Sequence, residues 1–207
     1  MEINPELKAY VEAEILPRYA HFDAAHQVDH ARAVIAAALD LAPYYDVDPD
    51  LLYAAAAFHD TGLVEGRKTH HLASGRIIRE DPVLPRWFSA DRIETIAEAA
   101  EDHRASSDHE PRSIYGRIIA EADRIIDGET IVRRTVQYGL SHYPELDREG
   151  HWRRTLEHLA EKYDYGGYLT LWVPESPNAA RLEAFRQRMK DRTWLRALFD
   201  EAFDAYR

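Results

Sequence analysis

The 207-residue chain contains no cysteine and has a formal charge of −11, from 26 Lys and Arg against 37 Asp and Glu. Without cysteine there are no disulfides, thiolate zinc sites, iron–sulfur clusters or thiol nucleophiles, and the acidic balance argues against a general nucleic-acid binder or a polybasic membrane binder. With 45% hydrophobic and 30% charged residues, the composition is that of a globular protein able to bury a core.

The start, Met1-Glu2-Ile3-Asn4-Pro5, lacks the basic and apolar regions of a signal peptide, and no run approaches the ~20 apolar residues of a membrane helix, so the cytoplasm is the expected location. Asn4-Pro5 reads as an N-cap followed by Pro at the first helical position, opening a helix with Leu7, Tyr10, Val11 and Leu16 that Pro17 kinks or ends. A second helix spans about residues 25–41, with His26, His30, Val34, Ala37, Ala38 and Leu41 on one stripe. Asp48-Pro49 caps a third that runs to about His59 and stops at Thr61-Gly62. Residues 70–80 form a short helix before Pro82, and Ser89 caps the next, whose inward face reads Ile93, Ile96, Ala97, Ala100, His103. Residues 104–113 read as a loop, and residues 114–127 and 129–142 as two further helices.

The C-terminal third begins with a long charged helix over about residues 147–163, followed by the loop Tyr165-Gly166-Gly167-Tyr168. Leu169-Thr170-Leu171-Trp172-Val173 has strand-like composition, and two more helices start at Ser176-Pro177-Asn178 and end at Arg207. The expected architecture is all-α: a helical core over 1–142 and a helical extension packed on it over 143–207, with at most one short strand or hairpin near 169–173.

Several polar residues are aimed at the apolar faces of these helices. His30 lies on an apolar stripe, His59-Asp60 ends the helix Leu51-Leu52-Tyr53-Ala54-Ala55-Ala56-Ala57-Phe58, and Asp123 shares a face with Ile119 and Ile126. His103 continues the stripe of Ile96 and Ala100, and His70-His71 opens a helix shortly after the His59-Asp60 turn. Burying such groups costs several kcal/mol unless they are paired or metal-bound. Imidazole with carboxylate suits Fe, Mn, Ni, Co or Zn better than Mg or Ca. The set His30, His59, Asp60, His70 or His71, His103 and Asp123 is too large for one ion that keeps open positions, and it suits two ions bridged by Asp60. His109, His142, His151 and His158 stand in polar contexts and read as surface residues.

The order His…His-Asp…Asp resembles the HD-domain metal-dependent phosphohydrolase superfamily. Ala25-His26-Gln27-Val28-Asp29-His30-Ala31-Arg32-Ala33-Val34 looks like the first-ligand helix, and Ala56-Ala57-Phe58-His59-Asp60-Thr61-Gly62 like the signature turn. His70-His71-Leu72-Ala73-Ser74-Gly75 resembles the His followed four residues later by Ser or Gly in dinuclear members, a register that favours His70. Residues 96–104, ending in His103-Arg104, and Glu121-Ala122-Asp123-Arg124 complete the likeness over residues 20–130, and the loop 103–116 is like that of uncharacterised bacterial members.

The resemblance implies hydrolysis of a phosphoester of a nucleotide or other small phosphorylated metabolite by a metal-bound hydroxide, with one or two divalent transition-metal ions as cofactor. A di-iron oxygenase on the same scaffold and a non-catalytic binding module are the alternatives. Asp60 is expected to bridge the ions. Arg104 and Arg67 neighbour ligands and are the leading candidates to neutralise phosphate charge, with Lys68, Arg112 and Arg124 as further cations. His26, one turn before His30, is a candidate acid/base group. The expected partner is a small anionic substrate, not a nucleic-acid polymer or a membrane; a homodimer is left open, with the Tyr/Gly loop as a candidate lid or dimer contact.

Overall fold

In the computed structural model, which describes residues 2–22, 27–107 and 109–207, Asn4 caps helix α1 (Pro5–Tyr10) by accepting from the backbone N–H groups of Glu6 and Leu7. The chain then widens into a π-helical turn over Val11–Ile15 and tightens into a 3-10 helix over Leu16–His21. Pro17 is the cause: its ring and missing N–H forbid regular α-helical bonding one turn back, so the register shifts there. Leu7, Val11, Ile15 and Tyr19 nevertheless keep a four-residue spacing and are all buried.

Helix α2 (Val28–Leu41) follows. Asp48 caps α3 (Pro49–Phe58) by accepting from Asp50 and Leu51 N–H. Every residue of α3 from Leu51 to Phe58 is buried, as expected of a helix with no polar face. Its four consecutive alanines let neighbours approach closely, and α2, α5 (Ala90–Glu101) and α6 (Ile114–Ala122) pack around it. Helix α4 (His70–Glu80) lies on α5 and on the 3-10 turn Thr61–Glu65. The central helix therefore delivers His59 and Asp60 at its buried C-terminal end.

The contacts divide the chain into two compact units, Met1–Arg124 with Trp172–Ser176, and Ile125–Leu171 with Pro177–Arg207. This differs from the division expected at 142/143. Helix α7 (Gly128–His142) packs on α8 (Arg148–Tyr163) and α10 (Arg192–Tyr206), burying Ile131, Val132 and Val136 within the second unit. Helix α9 (Asn178–Met189) completes that unit, with the ring of Phe185 against Gly128.

Among the described residues all regular structure is helical and there is no strand, so the fold is all-α. Residues 169–173 have no strand to pair with: Leu169 N–H caps the end of α8 on Lys162 O, and Trp172 N–H donates to Glu121 Oε2 at 2.8 Å. His151 is buried rather than exposed, its ring 5.7 Å from that of Phe203. Among the described residues no helix is long and apolar enough to cross a membrane.

Candidate metal centre

A helix leaves its last carbonyls without intrahelical partners, and at the end of α3 Phe58, His59, Asp60 and Thr61 are all buried from water. Side chains take the place of water. His59 Nδ1–H donates to Ala56 O at 2.8 Å, the Tyr19 hydroxyl to Ala57 O at 2.9 Å, and the Thr61 hydroxyl to Phe58 O at 2.8 Å. A carbonyl only accepts, so His59 carries its proton on Nδ1 and turns Nε2 inward. The same device orients His70, whose Nδ1 lies 2.8 Å from Arg67 O, and His103, whose Nδ1 lies 2.5 Å from Ala100 O.

The inward nitrogens meet two carboxylates. His30 Nε2 is 3.1 Å from Asp123 Oδ1 and 3.6 Å from Asp60 Oδ2, and His59 Nε2 is 3.3 Å from Asp60 Oδ2 and 3.7 Å from Asp123 Oδ1. The other oxygen of Asp60 faces a separate pair. Oδ1 is 3.2 Å from His70 Nε2 and 3.3 Å from His103 Nε2, which are themselves 3.0 Å apart. Two groups of donor atoms result, His30, His59, Asp60 and Asp123 in one, and Asp60, His70 and His103 in the other. Asp60, almost fully buried, belongs to both.

This spacing fits a divalent metal. Two donors about 2.1 Å from one ion lie about 3.0 Å apart at octahedral angles and about 3.4 Å at tetrahedral ones. The tautomers fit as well: with both Nδ1 atoms donating, the Nε2 lone pairs of His70 and His103 face each other at 3.0 Å, an arrangement that needs a cation or a proton between them. His59 Nε2 is fully buried and makes no hydrogen bond of good geometry.

The electrostatics follow from this crowding. Burial pulls the His59 pKa down, but Asp60 and Asp123 override it and push it up to about 10. His30 is raised likewise, burial again being outweighed by Asp123 and Asp60. Both carboxylates are held well below the usual range, because the facing imidazoles outweigh the opposing effect of burial. Without metal, protons on the imidazoles compensate the carboxylates.

The groups include His70 but not its neighbour. His71 lies outside both, and burial together with the nearby Arg104 pushes its pKa down to about 4. Arg67 and Lys68 have exposed side chains, and Arg104 Nη1 donates to Lys68 O at 2.8 Å, tying the 66–69 turn to the residue after His103. Arg124 is not at the rim. It is buried, and its Nη1 supports His103 from behind by donating to His103 O at 2.9 Å. Arg112 is occupied by Asp102 and Glu101, at 2.8 and 2.7 Å. Asp123 stands just past the end of α6 rather than on a continuing helical face. His26 lies outside the described residues.

Two supports were not legible as hydrogen-bond partners of this turn: Ser74, although it stands in the segment that resembles the family's second His motif, and Tyr19. Ser74 Oγ accepts from Gly62 N–H at 2.8 Å, and a Cβ on Gly62 would sit 2.0 Å from His70 O, so α4 is seated directly on the turn after Asp60. Tyr19 accepts from Asp60 N–H at 3.2 Å. Nothing in the sequence marks its hydroxyl.

No curated protein and no solved structure matches the chain. A family model does: residues 28–126 match the HD domain. HD-domain proteins bind divalent metals and are mostly metal-dependent phosphohydrolases. The matched segment contains both donor groups of the metal centre. Residues 28–126, which carry the whole metal centre, are thus an HD domain.

Proposed function

We propose that this protein is a phosphohydrolase that uses two divalent transition-metal ions to cleave a phosphoester of a nucleotide or another small phosphorylated metabolite. The observation that carries the reading is the placement of Asp60, whose two oxygens face two different sets of imidazoles at coordination spacing. In this reading His30, His59, Asp60 and Asp123 hold one ion. Asp60, His70 and His103 hold the other, and three protein ligands leave room there for water and substrate. When bound, the metal pair supplies a nucleophile from water near neutral pH and withdraws charge from the phosphoryl group.

The chain's own residues do the rest. Asp60 holds the two positions at a fixed separation and is itself held by the turn that ends α3. The Nδ1–H donations of His59, His70 and His103 to backbone carbonyls keep each ring in one orientation. Arg104 and Arg67 approach the second position along the chain, and their charge would neutralise phosphate oxygens as they become more negative. The local field of these cations matters more to a small anion than the net charge of −11.

The test is direct. Protein purified without chelator is analysed for metal and assayed for phosphate release from nucleotides and phosphomonoesters. The reading expects close to two ions per chain and turnover that chelator abolishes and added metal restores. Metal-loaded protein that releases no phosphate but consumes O₂ with a candidate substrate would overturn it in favour of an oxygenase. Metal-loaded protein with no turnover of either kind would leave a binding module.

A further inference from the structure

We infer that Tyr19, from the N-terminal segment that precedes the HD-domain match at residues 28–126, is a positioning residue for the metal centre. The inference rests on the metal-binding reading above. The Tyr19 ring is fully buried and lies 6.3 Å from that of His59. Its hydroxyl makes two bonds at one spot, donating to Ala57 O at 2.9 Å and accepting from Asp60 N–H at 3.2 Å.

The chemistry of the helix end explains why a phenol is needed. Ala56, Ala57 and Phe58 each present a carbonyl that the terminated helix cannot satisfy. Two of these are met from within the turn, by His59 and by Thr61. The third needs a donor from elsewhere, and Asp60 N–H, pointing the same way, needs an acceptor. A hydroxyl is a side-chain group that can do both. By joining Ala57 O to Asp60 N–H, Tyr19 fixes the backbone of the residue whose two oxygens serve both donor groups. It thereby sets the direction in which the Asp60 carboxylate leaves the chain.

Tyr19→Phe removes this link and keeps the ring. Tyr10→Phe is the matched control: it deletes a hydroxyl from the same N-terminal segment, bonded at 2.5 Å to Asp81 Oδ2 rather than to the His-Asp turn. Metal-free wild type and both variants are titrated with Co(II), following stoichiometry, affinity and the visible absorption of the bound ion. Sucrose is included to keep the less stable variants folded, and circular dichroism verifies that they are. Wild type should bind close to two ions. Tyr19→Phe should bind the tighter ion about 10–100-fold more weakly, the usual effect of losing a group that orients a ligand, with an altered absorption band. Tyr10→Phe should match wild type in both readouts. Identical affinity and spectrum in Tyr19→Phe and wild type would overturn the inference, as would equal weakening in both variants, which would mark a merely structural effect. Wild type that binds no Co(II) would instead overturn the metal reading itself.

Discussion

At the scale of single residues, the two proposed roles at this centre respond differently to substitution. Asp60→Ala removes the group shared by both donor sets, so it should lose bound metal and drop phosphate release to background. It should still fold, because the remaining imidazoles can stay neutral. Arg104→Ala should keep its metal and lose about 10²–10³-fold in kcat, as expected for a group that stabilises charge developing in the transition state. Metal analysis beside steady-state kinetics separates the two outcomes; metal loss in Arg104→Ala would contradict its proposed role.

His59 also sets a pH dependence. Its pKa is raised to about 10 from an ordinary value of about 6.5. In the metal-free protein the stability gained from pairing with Asp60 and Asp123 is complete below about pH 6.5 and fades as pH rises toward 10. The carboxylates, held low, lose their contribution at the opposite end, as pH falls through the acid range. A metal competes with the His59 proton for the same nitrogen, so metal affinity should rise with pH between about 6.5 and 10, by up to tenfold per unit for one proton displaced. Calorimetric titration with Mn(II) at pH 7.5 in two buffers of different ionisation enthalpy measures that proton. Equal heats in both buffers would contradict the charge state assigned to His59.

At the scale of elements, the second donor group depends on how α4 sits against the turn after α3. Gly62 packs directly on the start of α4, and its N–H is held by Ser74. Ser74→Ala leaves that buried N–H without a partner and should cost about 1–3 kcal/mol. Gly62→Ala forces a methyl group against His70 O and should cost a similar amount or more by overpacking. Both should weaken the second metal position before the first, because His70 moves with α4 while His30 and Asp123 come from other elements. Urea unfolding gives the stability change, and metal stoichiometry gives the site; loss of the first ion ahead of the second would refute this account. Element boundaries were largely legible beforehand. Asn4 and Asp48, read as caps, do cap their helices with side-chain hydrogen bonds, as local signals should; Ser89 holds the N-cap position of α5 without a side-chain hydrogen bond, and Ser113, Asp127, Asp147 and Asp191 cap their helices as well. The end of α6 was less legible, since Asp123 and Ile126 continue its apolar spacing although the helix stops at Ala122.

At the scale of the whole molecule, every donor of the metal centre lies in the unit Met1–Arg124 with Trp172–Ser176. A ligand stabilises the structure that binds it, by about 2.7 kcal/mol at a hundredfold excess over Kd. Chelation should therefore increase amide hydrogen exchange at the end of α3, the start of α4 and the 102–104 turn. Exchange in α7 to α10 should change little. Uniform loss of protection along the chain would show that the metal stabilises both units together. In the N-terminal unit, exchange near Tyr19 should rise with that of Asp60, because the two share a hydrogen bond across 41 residues.

The sequence alone determined the features that depend on near neighbours. Helical periodicity and caps marked the all-α fold. His30 and His103 stood out as polar groups on apolar stripes and His59-Asp60 at the end of a helix with no polar side, whereas His70 was marked only by the family resemblance. Tertiary structure alone decided the features that depend on elements distant in the chain. Adjacent side chains at a helix start diverge by about 100°, so periodicity left His70 and His71 open; the register of the family resemblance favoured His70, and the packing of α4 on α5 sets it beside His103. Arg104 and Arg124 each follow a donor, yet one reaches a surface loop and the other is buried behind His103. The sequence context of His151 gave no warning that α10 would cover it. Tyr19 was not read from the sequence, because it lies beyond the break at Pro17, and the partner of a buried hydroxyl is set by whichever helix end the fold brings to it.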